Sequence, residues 1–214
     1  MTYGTVNPRG IWVTFEGGDG SGKSTQAEHA RQYLASIGRQ VIRTREPGGT
    51  DLGVGIRQLL LHGSSAVNPY AEALLFAADR AEHIRSYVNP NLEAGTDVIQ
   101  DRYLDSSVAY QGAGRTLDTN EVRALSDWAT GGALPNLTIL LDLDPTIGAS
   151  RVSGRGEKDR LENEADTFRT RLRDSFLSQA AAEPGRFVVI DASQSTTVVS
   201  ARVRAAITKA ILAL

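Results

Sequence analysis

No cysteine occurs among the 214 residues, which excludes disulfide frameworks, thiolate metal sites and cysteine nucleophiles. No run approaches the ~20 apolar residues needed to span a bilayer. Met1 to Gly10 holds one arginine and no apolar stretch, so it does not read as a secretory signal. A cytoplasmic protein with no membrane partner is the expectation. Surplus charge is missing too. The formal net charge is −2, a poor basis for binding a nucleic-acid polymer, whose affinity rests on many phosphate contacts. That balance still allows a local cationic pocket for one small anion. The three histidines, His29, His62 and His83, lie far apart in sequence and offer little basis for a metal site. Hydrophobic residues make up 41% and charged residues 22%, enough for a packed core and too apolar for disorder.

Ile11 to Glu16 reads as a strand. A glycine-rich stretch at 17–22 follows, then a helix from about Lys23 to Ile37 that Gly38 ends. Gln40 to Thr44 reads as a second strand. Arg45-Glu46-Pro47-Gly48-Gly49 must be a loop, because proline and paired glycines break regular structure. Helical patterns follow near 53–62 and 69–94. Further strands are expected at Asp97 to Asp101, Leu137 to Leu143 and Phe187 to Asp191, with a closing helix from Ser195 to Leu214. Short apolar strands alternating with helices imply an α/β fold: a five-stranded parallel sheet with helices on both faces, a three-layer sandwich. Its ligand belongs at the carboxyl ends of the strands. The length fits a single domain over 1–214, with a flexible lead-in at 1–9. Arg151 to Asp166 is charged, glycine-bearing and almost without apolar residues, and reads as an exposed, mobile flap between two helices.

Gly17-Gly18-Asp19-Gly20-Ser21-Gly22-Lys23-Ser24 matches the P-loop pattern G-x-x-x-x-G-K-[ST]. Its glycines let backbone N–H groups turn inward around phosphate oxygens. Lys23 should reach the β- and γ-phosphates, and the Ser24 hydroxyl should bind Mg²⁺. The following helix points its positive end at the anion. At ordinary residue usage the pattern arises by chance in about one chain in a hundred of this length. Here it also stands between a predicted strand and a predicted helix, as the mechanism demands.

A P-loop does not name a reaction, so other segments must. Asp101-Arg102-Tyr103 closes the third strand. An acid there can hold a metal, and Arg102 could hold an acceptor phosphate against the donor; a strand-end salt bridge is the plainer alternative. Phe76 and Arg80 stand at i and i+4 on one helix face. They can stack a base and hydrogen-bond its edge, or be a core phenylalanine beside a surface arginine. Ser107, Tyr110 and Gln111 bring hydroxyl and amide groups to the same strand ends. Arg151, Arg155, Lys158 and Arg160 put four cations into ten residues of the flap. Such a run is usually a solvated face, but phosphoryl transfer is catalysed by positioning and charge stabilisation, which mobile arginines suit.

Taken together, FEGGDGSGKST at 15–25, TREPGGT at 44–50, LLFAADRAEH at 74–83, DRYLDSSVAYQG at 101–112 and RGEKDRLE at 155–162 resemble the thymidylate kinase family over nearly the whole chain. The resemblance implies a transferase that phosphorylates dTMP to dTDP with Mg²⁺ and ATP, and a homodimer. It extends the ATP-binding stretch through Thr25 and places Ala192, after Asp191, at the adenine. Asp19 would accept a hydrogen bond from the deoxyribose 3′-OH. Glu46 and Pro47, joined by a cis bond, would shape the monophosphate pocket. Arg57 and Arg102 would hold the dTMP phosphate, and Asp101 would join Ser24 at the metal. Phe76 would stack on thymine and Arg80 would bond its O4 edge. Ser107 and Gln111 would read the base, and Tyr110 would crowd the sugar 2′ position. The flap would be a lid supplying the catalytic arginine, as in the bacterial arrangement, because the P-loop holds no cation but Lys23. Another nucleotide or nucleoside kinase, or a P-loop regulator, would share the loop; only the first fits the flap's charge.

The resemblance leaves open whether Arg155 or Arg151 would be the catalytic arginine of the lid. Arg155→Ala should lower kcat far more than it weakens dTMP binding, the mark of a contact made mainly in the transition state. Arg151→Ala should do the same, or should chiefly raise the KM for ATP if that side chain packs on adenine. Steady-state kinetics with each substrate varied separates these. If even the double variant keeps kcat within tenfold, the lid does not supply the cation and Arg102 becomes the leading candidate.

Overall fold

The computed structural model describes residues 10–63, 67–152 and 165–214. Five strands form one parallel sheet: β1 (Trp12–Glu16), β2 (Val41–Arg45), β3 (Asp97–Asp101), β4 (Leu137–Asp142) and β5 (Phe187–Asp191), in the order β2-β3-β1-β4-β5. The expected strands and their parallel pairing are present, each within a residue or two of its expected bounds. The helices are α1 (Lys23–Ser36), α2 (Asp51–His62), α3 (Pro69–His83), α4 (Asn89–Glu93), α5 (Leu104–Ser107), α6 (Thr119–Thr130), α7 (Pro145–Val152), α8 (Asp166–Ala182) and α9 (Thr196–Leu212). None of the described helices is long and apolar enough to cross a membrane.

The strands' near-continuous apolar runs follow from burial on both faces. On one face, Ile11, Val13, Phe15, Ile99, Ile139 and Leu141 pack against Ala27, Ala30 and Leu34 of α1 and Val199, Val203 and Ile207 of α9. The alternate residues point to the other face, which carries two apolar clusters. Trp12 and Val98 meet Ile84, Val88 and Tyr103 in one; Leu140 and Phe187 meet Phe168, Leu172 and Phe176 of α8 in the other. Between them runs a polar seam. Thr14 and Thr138 share a hydroxyl hydrogen bond of 2.9 Å. Arg186 Nη1 donates to Thr138 Oγ1 at 2.8 Å, and the Arg186 fork grips both oxygens of Asp105 at 2.8 and 2.7 Å.

The helix expected at 69–94 is not one α-helix. A π-type segment, Ile84–Val88, separates α3 from α4. Pro90 is the physical reason: it cannot donate to the carbonyl of Ser86, and its ring would crowd that carbonyl in a regular helix. The wider turn relieves both problems. A second π-type segment, Val108–Gly114, follows α5. Thr50 starts α2 two residues earlier than periodicity alone suggests, its hydroxyl accepting from Gly53 N at 3.0 Å. Of the expected flap, only Arg151, Val152, Ala165 and Asp166 are described; Arg155, Lys158 and Arg160, like the lead-in at 1–9, lie outside the described residues.

β1 lies between β3 and β4, so the chain crosses over β1 on its way from one to the other. A strand order that reverses in this way opens a crevice at the carboxyl ends. Residues 17–22 leave β1 into that crevice. Gly17 has φ +132°, and a Cβ there would come within 2.5 Å of Leu141 O, so the loop can pass β4 only as glycine.

The Asp105–Arg186 pair predicts a stability effect. Asp105 is 0% exposed, and Arg186→Leu would leave its charge uncompensated in the core, a loss of about 3–5 kcal/mol. Half-buried Arg31 at the surface of α1, paired with Glu28, should be replaceable by alanine with little change. Urea unfolding of both variants tests the contrast.

Candidate active site

The glycine-rich loop closes on Lys23. This side chain is buried, and its Nζ donates to Gly17 O at 3.0 Å and Gly18 O at 2.8 Å. Burial, reinforced by the charge of Arg102, lowers its pKa to about 8. Gly22, with φ +93°, turns the chain into α1. Ser21 Oγ is buried without a partner among the described residues. Ser24 Oγ donates to Asp101 Oδ2 at 2.7 Å, bringing two hard oxygen donors to one edge of the loop.

Arg102 joins this loop to the far side of the crevice. Its backbone has φ +69°, a conformation that costs a non-glycine residue energy and needs support. The support is adjacent. Fully buried Glu16 accepts from Tyr103 N at 2.7 Å and from Ser106 Oγ at 2.6 Å. Burial, with Asp105 nearby, raises the Glu16 pKa to about 8. The Arg102 guanidinium donates to Asp19 Oδ1 at 2.6 Å, Tyr110 Oη at 2.9 Å, Ser106 Oγ at 3.0 Å and Gly17 O at 3.2 Å. It lies 4.8 Å from the Tyr110 ring centroid. Tyr110 in turn donates to Asp19 Oδ2 at 3.2 Å. Burial opposes ionisation of Asp19, but Arg102 and Lys23 outweigh it and hold its pKa below the usual range.

The second half of the crevice is a recess between α3, α5 and the 46–47 turn. The Glu46–Pro47 bond is cis, and Arg57 Nη1 donates to Pro47 O at 2.9 Å. Arg80, 1% exposed, donates to Glu46 Oε2 at 2.9 Å, Ser126 Oγ at 3.0 Å, Ser107 Oγ at 3.1 Å and Tyr103 O at 3.3 Å. Glu46 Oε1 is shared by Gln100 Nε2 and His83 Nδ1, each at 3.0 Å. Gln111 Nε2 donates to Glu72 Oε1 at 2.8 Å.

These pieces line one cleft of about 270 Å³. Of the residues expected from sequence, Asp19, Gly20, Gly22, Lys23, Ser24 and Thr25 line its loop end, with Asp101 and Arg102 beside them. Glu46, Pro47, Arg57, Phe76, Arg80, Ser107, Tyr110 and Gln111 line the rest. Arg151 stands outside it, its Nη1 bridging Gly20 O at 3.4 Å and Ala192 O at 3.2 Å. Gly17, Gly18 and Ser21 form the back of the loop. Sequence reading missed Arg43 and Arg45, which also line the cleft; their i, i+2 spacing at the carboxyl end of β2 was the available signal. It also missed Glu16 and Ser106, because an acid ending an apolar strand looks like a surface residue. Glu72, one helical turn before Phe76, was legible only as a shared face.

The thymidylate kinase family model matches residues 15–203. A curated thymidylate kinase of Leifsonia xyli subsp. xyli is 56% identical over 200 residues, covering 93% of this chain and 95% of the relative. One from Deinococcus radiodurans is 44% identical over 201 residues, covering 94% and 98%. The crystal structure of thymidylate kinase from Ehrlichia chaffeensis superposes with a TM-score of 0.76 at 34% identity, covering 92% of this chain and 98% of that one.

One buried acid at the recess gives a pH prediction. Asp79 accepts from Gly48 N at 2.9 Å through Oδ1, while Oδ2 is buried without a partner among the described residues. Burial, then the charge of Glu46, raises its pKa to about 7. The unfolded chain releases this proton near the ordinary aspartate value and the folded one only near 7, so the folded state binds more protons between them. Its contribution therefore erodes stability as pH rises through that window and is constant above it. Urea titrations at pH 4.5 to 8 should show Asp79→Asn gaining on the parent protein as pH rises, with the difference levelling off beyond 7.

Proposed function

The chain belongs to the thymidylate kinase family, and we infer that it transfers the terminal phosphoryl group of ATP to the 5′-phosphate of dTMP, forming ADP and dTDP for dTTP synthesis. The observation that carries this reading is the single cleft, with a phosphate-type loop at one end, a base-sized recess at the other, and Arg102 between.

An oxygen of the acceptor phosphate attacks the γ-phosphorus while the bond to the β–γ bridging oxygen breaks. Such a transfer needs alignment and charge compensation more than covalent help. Loop N–H groups and Lys23 hold the donor phosphates. Lys23 stays protonated below its pKa of about 8, and in the protein alone the loop carbonyls occupy its ammonium. Arg102 and Arg57 hold the acceptor phosphate. Asp19 and Tyr110 border the sugar, Phe76 stacks on the base, and Arg80, Ser107 and Gln111 meet its edge. Arg151 and Ala192 stand at the adenine side. Ser24 and Asp101 fit Mg²⁺, which prefers oxygen ligands, needs few from the protein and keeps several waters. Bound there with ATP, it neutralises charge on the donor phosphates.

We take 1–214 as one kinase domain acting in the cytoplasm as a homodimer. Exposed Leu52 and Leu59 of α2, Leu74 of α3 and Trp128 of α6 support the dimer, because α3 packs against both α2 and α6 and these three neighbours leave large apolar side chains uncovered.

A coupled ADP-release assay across nucleoside monophosphates tests the reading. Release should depend on dTMP, with dUMP disfavoured by only ~1–3 kcal/mol for the missing methyl and GMP inactive. Lys23→Ala should lower kcat by roughly 10²–10³-fold in a folded protein. Equal turnover of GMP and dTMP, or ADP release without an acceptor, would refute it.

A further inference from the structure

We propose that Glu72 is the specificity-positioning residue of the recess: it locks the Gln111 amide with its carbonyl oxygen toward the base, so that the cleft takes thymine and rejects cytosine. This rests on the cleft being the dTMP site and adds which side chain enforces the base.

Glu72 is 0% exposed and Gln111 1%. The carboxylate oxygen Oε1 accepts from Gln111 Nε2 at 2.8 Å and from Arg115 Nε at 3.4 Å. A carboxylate only accepts hydrogen bonds, so the nitrogen of the amide must be the atom that faces it. The orientation of a glutamine amide is often ambiguous, but here the partner's chemistry decides it. The Arg115 guanidinium balances the buried charge and is itself held over the Phe168 ring, 5.3 Å from its centroid.

With one N–H of the amide held by Glu72, the NH2 group is turned to that carboxylate and the carbonyl oxygen of Gln111 is left on the opposite side. That oxygen has no partner in the described protein, and Gln111 lines the cleft with Phe76 and Arg80. The recess therefore offers an acceptor from Gln111 and a donor from Arg80, whose Nη1 keeps one N–H beyond its bond to Ser126. Thymine and uracil present a matching edge, the N3–H donor beside the O4 acceptor. Cytosine presents the reverse, an N3 acceptor beside an N4 amine donor. It would set acceptor against acceptor and donor against donor, leaving buried polar groups unpaired. Sites built on hydrogen bonds discriminate strongly for this reason, whereas apolar pockets do not. Freed from Glu72, the amide could turn over and offer its nitrogen to cytosine N3. Arg80 would still oppose the N4 amine, so the relaxation would be partial.

The test measures kcat and KM with dTMP, dUMP and dCMP for the parent protein, Glu72→Gln and Glu72→Asp. A glutamine at 72 can accept or donate, so it no longer dictates the orientation. The kcat/KM ratio of dCMP to dTMP should rise at least tenfold in Glu72→Gln, mainly through a raised KM for dTMP, while dUMP tracks dTMP. Glu72→Asp keeps an acceptor-only group and should stay near the parent ratio. A folded Glu72→Gln that loses activity on all three substrates in equal proportion overturns the proposal, since Glu72 would then only hold the fold. Should Glu72→Gln fail to fold, ¹⁵N NMR of the parent protein decides. The Gln111 side-chain amide protons, assigned by their loss in Gln111→Leu, should exchange with solvent at least a hundredfold more slowly than a free glutamine amide. Exchange at the free rate overturns it. Failure of the parent protein to use dTMP is a different result, and would instead overturn the assignment of the cleft.

Discussion

The contact between the Arg102 guanidinium and the Asp19 carboxylate, 2.6 Å long, spans the two halves of the cleft. Asp19 belongs to the loop between β1 and α1, whereas Arg102 follows β3. Their geometry is consistent only if β1 and β3 are adjacent, which the parallel register from Trp12–Val98 to Phe15–Asp101 provides. Arg102 can reach the loop because its own backbone takes a left-handed turn. That turn persists because Glu16 holds the next N–H and the Ser106 hydroxyl. A buried carboxyl group at the end of the central strand thus supports an unfavourable backbone angle, which aims a cation, which organises the crevice. Strain of this kind survives only where the surroundings over-determine it.

Glu16 also belongs to a sheet face with unusually high polar content. Thr14, Gln100, Thr138, Glu46, Arg80 and His83 are all buried on or near it. A buried polar network is tolerable when its members are satisfied and costly when they are not. Here Trp12 Nε1 donates to Gln100 Oε1, and Gln100 Nε2 donates to Glu46 and to the carbonyl of Arg102. His83 then connects Glu46 to Thr44. The base recess is thereby tied to β1, β2 and β3 through hydrogen bonds with defined directions, which apolar packing does not supply.

The strands were legible because each is a short apolar run between loop-forming residues, and the loop was legible because its glycines and Lys23 have fixed spacing. Phe76 and Arg80 were legible as a shared helix face. What spacing cannot reveal is partnership across the chain. The neighbours of Arg80 are Glu46, Ser126 and Ser107, brought together by the fold alone. Glu16 and Arg186 were passed over because charged residues are ordinarily at the surface, and only a partner such as Ser106 or Asp105 makes their burial affordable. The π-type segments escaped for another reason: over five to seven residues, a wider turn leaves the apolar pattern almost unchanged.

The segment Val108–Gly114 carries Tyr110 and Gln111 on consecutive residues of a widened turn. In a regular helix, one residue corresponds to a rotation of about 100°. The widened turn spreads over one extra residue about the rotation that a regular helix makes, so a single deletion could relax it to ordinary winding and leave the side chains beyond it facing as before. What such a deletion would change is the turn itself, where Tyr110 and Gln111 both line the cleft. The extra residue therefore serves the recess and not the helix: without it the helix could continue, but two neighbouring side chains could no longer share the cleft wall in the same way.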